Sequence, residues 1–278
     1  MKVCVPQMSS IEQSQWVPFL VNEARQSYSY VLPWDKNNLD WTTQDQLDGW
    51  FDALHPSKHT MHNSSSTNLA WTEAYYKGNK LLRKTAWCTF QEGCECDYGY
   101  SDTWQTRVTS SEFQRTVEDI TKVARQVTGC PSLNSCNLNY YPQGGGVGFH
   151  ADDEFLFDGL RRPTCIISFS LCSRSGGGAR KFLVKQKSCP EDQAQDDYPP
   201  GMVHEQILGH GDIMTMEGMF QKHYFHSVWP GDSKDHMDDP YTKGERINLT
   251  WRTIVQHLDG SAECRGKVCP LSQPSAAR

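Results

Sequence analysis

Two segments of the chain repeat their apolar residues with the period of a helix. Leu47, Trp50, Phe51 and Leu54 fall at i, i+3, i+4 and i+7, an apolar stripe that predicts an amphipathic helix. Thr43-Gln-Asp-Gln46 ahead of it has capping-box spacing, and Pro56 ends it. Phe113, Val117, Ile120, Val123 and Val127 form a second stripe, entered through a capping box at Ser111-Glu-Phe-Gln114 and stopped by Gly129. This second helix is expected to pack on the outside of a sheet. The strand-like runs are Arg83–Trp87, Thr164–Cys172, Lys181–Lys187, Gly211–Glu217, His223–Val228 and Arg246–Arg252, separated by turn and loop residues. Short strands of this kind predict a mainly β, α+β fold, a sandwich or jelly roll buttressed by two helices. Residues 1–40 show no clear period; Trp16, Phe19 and Leu20 are expected to cover a core edge.

The period of a strand also sorts the polar residues. In Arg246-Ile-Asn-Leu-Thr-Trp-Arg252, Arg246, Asn248, Thr250 and Arg252 share one face, and Ile247, Leu249 and Trp251 the other. At 3.3 Å per residue the two arginine Cα atoms lie about 20 Å apart, close enough for long side chains to converge on one ligand. Two arginines facing a barrel interior are costly without anions. A dicarboxylate suits such a face, because guanidinium pairs with carboxylate in a fork; on an exposed edge strand the same residues would be solvated. Asn139 and Tyr141 are two apart, as are His150 and Asp152, and Gly144, Gly145, Gly146 and Gly148 join the two pairs. This predicts a β-turn-β rim of a pocket. A His and an Asp on one strand, with a second His from far along the chain, make a facial triad for Fe(II). Taken alone, His-x-Asp is more often a chance tripeptide in a surface turn, so the case rests on the rest of the chain.

Composition narrows the picture a little. The chain has 278 residues, 37% of them hydrophobic, enough for a core in one large or two small domains. It lacks an apolar run long enough to cross a membrane, and its first residues lack the apolar stretch of a signal peptide. The expectation is a soluble intracellular protein, nuclear or cytoplasmic, and a monomer. A net charge of −6 means that any nucleic-acid contact needs a local basic patch. Eleven cysteines are present, but the closest pairs, Cys94/Cys96 and Cys264/Cys269, lack the spacing of a zinc site, so free thiols are expected.

Taken together, these residues resemble the AlkB family of Fe(II)/2-oxoglutarate dioxygenases. That family's order of Asn-x-Tyr, His-x-Asp, a distant His and Arg-x-Asn-x-Thr-x-Arg is met by Asn139/Tyr141, His150/Asp152, His226 and Arg246/Asn248/Thr250/Arg252, within about residues 80–256. His150-Ala-Asp-Asp-Glu154 and Gly211–Gly218 look like its branch that repairs alkylated bases. The resemblance implies a double-stranded β-helix (jelly-roll) core with iron on His150, Asp152 and His226. Arg246 would hold the distal carboxylate of 2-oxoglutarate, with Arg252 nearer the metal and Asn139, Tyr141 and Asn248 as hydrogen-bonding partners. His223 competes with His226, but the family's aromatic-aromatic-His order selects His226; His204, His210 and His236 have no partner spacing and are expected on the surface.

The resemblance further implies oxidative demethylation of N-alkylated bases such as 1-methyladenine and 3-methylcytosine in DNA or RNA. It would use O2, with ascorbate as reductant in vitro, and release formaldehyde, succinate and CO2. Tyr98 and Tyr100 resemble the aromatics of a substrate lid, where a flipped base can stack. Asp153 stands where the repair branch has a base-edge acceptor. Arg83, Lys84, Arg161, Arg162, Arg180, Lys181, Lys185 and Lys187 are candidate phosphate contacts. The expected layout is an N-terminal extension over residues 1–70 with one helix packed on the core, the dioxygenase domain over 71–258 and a disordered tail over 259–278. The long acidic segment between His226 and Arg246, with Asp235, Asp238 and Asp239, departs from the pattern. A dioxygenase with the same cofactors acting on a protein side chain or small molecule is the alternative.

Overall fold

The computed structural model describes residues 15–34, 41–59, 70–90, 97–100, 103–105, 107–173, 177–188, 201–229 and 243–255. Its elements follow one another as β1 (Val17–Asn22), β2 (Ser27–Leu32), α1 (Gln44–Leu54), β3 (Thr72–Tyr76), β4 (Asn79–Thr89), β5 (Tyr98–Tyr100), β6 (Thr103–Gln105), α2 (Ser111–Thr128), β7 (Ser135–Tyr141), β8 (Val147–His150), β9 (Thr164–Cys172), β10 (Arg180–Gln186), β11 (Val203–Leu208), β12 (Ile213–Gly218), α3 (Phe220–His223), β13 (Tyr224–Val228) and β14 (Arg246–Arg252). An eight-stranded sheet, in the order β1-β2-β12-β9-β14-β7-β4-β3, faces a four-stranded sheet in the order β11-β10-β13-β8; β5 and β6 form a separate hairpin. The neighbours within each sheet run antiparallel. This is the mainly β jelly-roll arrangement expected from the strand pattern. The tail beyond 255 and the Cys94/Cys96 pair lie outside the described residues, among which Cys88, Cys130, Cys136, Cys165 and Cys172 are free thiols. Among the described residues no helix is long and apolar enough to cross a membrane.

Both long helices begin and end for local reasons. The Thr43 hydroxyl accepts from the backbone N–H of Gln46 at 3.2 Å, capping α1. The cap of α2 is Ser110, one residue earlier than the capping-box spacing suggests: its Oγ accepts from the N–H of Phe113. Gly129 closes α2 at φ 64°, the left-handed conformation that glycine adopts without a Cβ penalty. Leu47, Phe51 and Leu54 of α1 and Phe113, Val117 and Ile120 of α2 pack with Leu138, Phe169, Leu249 and Trp251 on the outer face of the large sheet. A second apolar cluster, including Tyr141, Phe182, Val184, Met214, Met216 and Val228, fills the space between the sheets.

The N-terminal stretch contributes strands to the sheet itself, where the sequence suggested only a cover for a core edge. β2 pairs with β12 in the register Leu32↔Ile213, Val31↔Met214 and Tyr28↔Glu217. Its sequence hides this, because Ser27 and Ser29 are as buried as its apolar residues and no alternation survives; Ser29 Oγ donates to the Thr215 carbonyl at 2.6 Å. His210, expected on the surface, is built into the fold. Its Nδ1 accepts from the N–H of Cys172 at 2.9 Å, and its Nε2 lies 3.3 Å from Asp48 of α1.

Candidate functional site

The cross-strand registers bring the spaced motifs together. β14 lies between β7 and β9, with Arg246 opposite Tyr141, Asn248 opposite Asn139 and Thr250 opposite Asn137. In the facing sheet, His226 of β13 is opposite His150 of β8. The stretch from Asn139 to His150 is therefore not a hairpin: its two strands belong to different sheets, and the glycine-rich turn crosses between them. The two inner faces still meet in one pocket.

His150, Asp152 and His226 each direct one donor atom to a common point, all within 4.8 Å of one another. Nε2 of His150 is 3.9 Å and Nε2 of His226 is 3.8 Å from the Asp152 carboxylate. The Nδ1–H of His150 donates to the Gly148 carbonyl at 2.8 Å, which leaves its Nε2 lone pair facing the aspartate, the tautomer a metal ligand needs. Burial, reinforced by His150 beside it, lowers the pKa of His226 to about 3, so its imidazole is neutral. Burial pushes the Asp152 carboxyl up, but Arg252, His226 and His150 outweigh it and hold it below the usual range. Two neutral imidazoles and an ionised carboxylate form a donor set that fits Fe(II). His223 is outside this set: it ends α3, and its Nδ1 lies 3.4 Å from Nη1 of Arg25.

The arginine face is buried throughout, which removes the solvated-edge alternative. Nη2 of Arg246 donates to Ser170 Oγ at 2.8 Å and to Asn248 Oδ1 at 2.6 Å, while its Nε and Nη1 are buried without a partner. Burial lowers the Arg246 pKa. A buried guanidinium with open donors fits a carboxylate guest. Nη2 of Arg252 lies 2.7 Å from Oδ2 of Asp152. Nε and Nη1 of Arg252 are likewise without a hydrogen-bond partner among the described residues, so the two arginines differ in that Arg252 is ion-paired with the aspartate and Arg246 with no carboxylate among the described residues. Tyr141, Ser168, Asn248 and Thr250 line the same lobe, with the Arg246 guanidinium 5.6 Å from the centre of the Tyr141 ring.

A second lobe shares Arg83, Asn139, His150, Asp152 and Arg252 with the first and is lined besides by Thr85, Tyr98, Gln105 and Asn137. Arg83 is 7% exposed, so it faces this lobe and not an outer surface. Tyr98 lines it too, but its ring is 2% exposed and stacked on Trp87 at 4.7 Å, with its hydroxyl donating to Glu154 at 2.7 Å. It is a packed wall of the lobe. The side chain of Tyr100 lies outside the described residues. Asp153 is not among the lining residues; its carboxylate pairs with Lys187 at 3.0 Å. Glu154 is the acidic group turned inward, raised to about 7 by burial and by Asp152.

Among the expected phosphate contacts, Arg180 is buried against backbone carbonyls. Lys84 and Lys181 pair with Glu73 and Glu205, and Lys185 covers the Phe149 ring. Arg161 and Arg162 remain exposed. Thr85, Gln105, Asn137, Ser168 and Ser170 were not singled out in the sequence. Asn137 is two residues before Asn139, and Thr85 two after Arg83, so the period of two was the available signal.

The chain belongs to the 2OG-Fe(II) oxygenase superfamily, whose family model it matches over residues 37–252. It is 30% identical over 136 residues to the DNA oxidative demethylase ALKBH2 of Arabidopsis thaliana, a match spanning 44% of this chain and 38% of that relative. Solved structures with similar folds are OsALKBH1, at 18% identity and a TM-score of 0.45 over 81% of this chain and 96% of that one, and a 2OG-Fe(II) family oxidoreductase from Burkholderia pseudomallei, at 13% identity and a TM-score of 0.43 over 83% and 85%.

Proposed function

We propose that this protein removes methyl groups from ring nitrogens of alkylated bases in DNA or RNA. The observation that carries the reading is the second lobe. It adjoins the metal-ligating atoms and is walled by hydrogen-bonding side chains, Arg83, Thr85, Gln105 and Asn137, where a site for an aliphatic substrate would be apolar. The similarity to an Arabidopsis DNA oxidative demethylase points the same way.

His150, Asp152 and His226 hold the iron, and Arg252 keeps the Asp152 carboxylate oriented and ionised. Arg246, with Tyr141, Asn139 and Asn248, holds 2-oxoglutarate by its far carboxylate. Bound iron supplies O2-dependent oxidation of the methyl group, coupled to decarboxylation of the keto acid. A base inside a duplex cannot reach this depth, so the substrate is single-stranded or flipped out.

The test is incubation with Fe(II), ascorbate, 2-oxoglutarate and oligonucleotides carrying 1-methyladenine or 3-methylcytosine. Release of formaldehyde with restoration of the base is the expected result. Decarboxylation of 2-oxoglutarate without formaldehyde from any oligonucleotide would transfer the substrate to the protein or small-molecule class.

A further inference from the structure

The polar wall of the second lobe has a fixed direction. The Ala86 carbonyl can only accept, and Nδ2 of Asn137 lies 3.4 Å from it, which sets that amide. The same nitrogen also lies 3.2 Å from Oε1 of Gln105 and 3.1 Å from Oγ1 of Thr85, so its second hydrogen is shared between these two acceptors. The Thr85 hydroxyl, facing that amide nitrogen, turns its own hydrogen to Oε1 of Gln105 at 2.7 Å. Oε1 of Gln105 thus receives the Thr85 hydroxyl and faces the Asn137 amide nitrogen, and its amide is set in turn. The polar group left to a molecule in the lobe is Nε2, a donor. Gln105 is 3% exposed and lines the cavity together with His150, Asp152 and Arg252.

We infer that Gln105 is a specificity-determining residue: its Nε2–H donates to a ring carbonyl of the substrate and favours a methylated pyrimidine over a methylated adenine. This rests on the base-demethylation reading above. The chemistry follows from the ring edges. With its methyl group turned to the metal, 1-methyladenine flanks it with an amine and a C–H. 3-Methylcytosine flanks it with an amine and the O2 carbonyl. Only the pyrimidine gives the amide an acceptor. Against adenine a buried N–H faces a C–H, and a site built to hydrogen-bond discriminates more strongly than an apolar one. The expected preference in kcat/KM is about tenfold or more for 3-methylcytosine.

The test compares single-stranded oligonucleotides that differ only in the lesion: 3-methylcytosine, 3-methylthymine or 1-methyladenine. The wild-type protein is expected to favour both pyrimidines. Gln105→Leu should reduce kcat/KM for the two pyrimidines in similar proportion and bring their ratio to 1-methyladenine toward one. Gln105→Glu, which replaces the donor by an acceptor, should lower that ratio further. Because each ratio is measured within one preparation, a general loss of folded protein cancels. A wild-type ratio near one, or a ratio unmoved by Gln105→Leu, overturns this inference and leaves base demethylation standing. Failure to turn over any of the oligonucleotides overturns both.

Discussion

Arg246 and Arg252 stand six residues apart on one strand face, and burial alone does not distinguish them. Their partners do. Both keep Nε and Nη1 without a hydrogen-bond partner among the described residues, but Arg252 is ion-paired with Asp152 at 2.7 Å, whereas Arg246 has no carboxylate paired with it among them. Arg246→Ala is therefore expected to weaken 2-oxoglutarate binding by about 2–5 kcal/mol, roughly 30-fold or more, when titrated calorimetrically against the folded variant. An unchanged affinity would mean that the anion sits elsewhere. Glu217 behaves differently. Burial raises its carboxyl to about 7, only partly offset by the Thr215 hydroxyl at 2.6 Å. A folded pKa above the ordinary carboxyl value means that the native state keeps a proton the unfolded chain releases, so stability falls as pH rises through that window. Glu217→Gln should therefore raise Tm at pH 8, by up to about 3 kcal/mol of stability, and leave it nearly unchanged at pH 4; equal gains at both would show that the carboxyl is not titrating. His150 with Asp152 and the arginine face were legible through their spacing of two, a strand property, and His226 only through the family resemblance. The settings of Tyr98 and Asp153 were not, since the stacking on Trp87 and the pairing with Lys187 are contacts between distant parts of the chain.

Among the elements, α1, α2 and β14 announce themselves through caps and period, and β1, β2 and α3 do not. Strand β2 is buried on both faces, so alternation is lost, and α3 is a single turn of four residues, too short for a period. The element with most bearing on the site is the connection from β7 to β8, which carries the chain from one sheet to the other between Tyr141 and His150. Arg180 of β10 fastens it. Its guanidinium donates to the carbonyls of Pro142 and Gly145 on the connection, and to those of Ala179, Lys243 and Gly244. One side chain thereby ties the glycine-rich crossing to the approach to β14. Gly145 is needed for the same closeness, as a Cβ there would meet the Leu82 carbonyl at 2.7 Å. Arg180→Met keeps the stem but takes a donor from the carbonyls of Gly145, Ala179 and Gly244, each worth about 1–3 kcal/mol, while those of Pro142 and Lys243 still accept from the N–H groups of Gly145 and Gly178. A fall in Tm of about 6 °C or more is expected by calorimetry. A variant melting within a degree of wild type would show that water replaces the guanidinium without loss.

At the scale of the whole molecule, the β1–β2 hairpin decides what counts as the domain. A boundary at residue 70 follows from the sequence, and the family model itself begins at residue 37, beyond the hairpin. Yet β2 is hydrogen-bonded along β12, and Gly218 at the end of that pairing has φ 67° with room for no Cβ, which would meet the Gln26 carbonyl at 2.0 Å. Leu20, Val31 and Leu32 are each 1% exposed or less. Full burial is worth about 1.5–3 kcal/mol for each such side chain, or about 5–9 kcal/mol for the three. That is comparable with the whole stability of an ordinary domain, about 5–15 kcal/mol. Without the hairpin, β12 would become an exposed edge and the inner cluster around Met214 and Met216 would open to solvent. A chain lacking residues 1–34 is accordingly expected to aggregate or to show no cooperative thermal transition, although every residue of the iron and 2-oxoglutarate sites is retained. If the shortened chain instead melts cooperatively within a few degrees of the full one, the hairpin is an appendage and the domain begins where the sequence pattern places it.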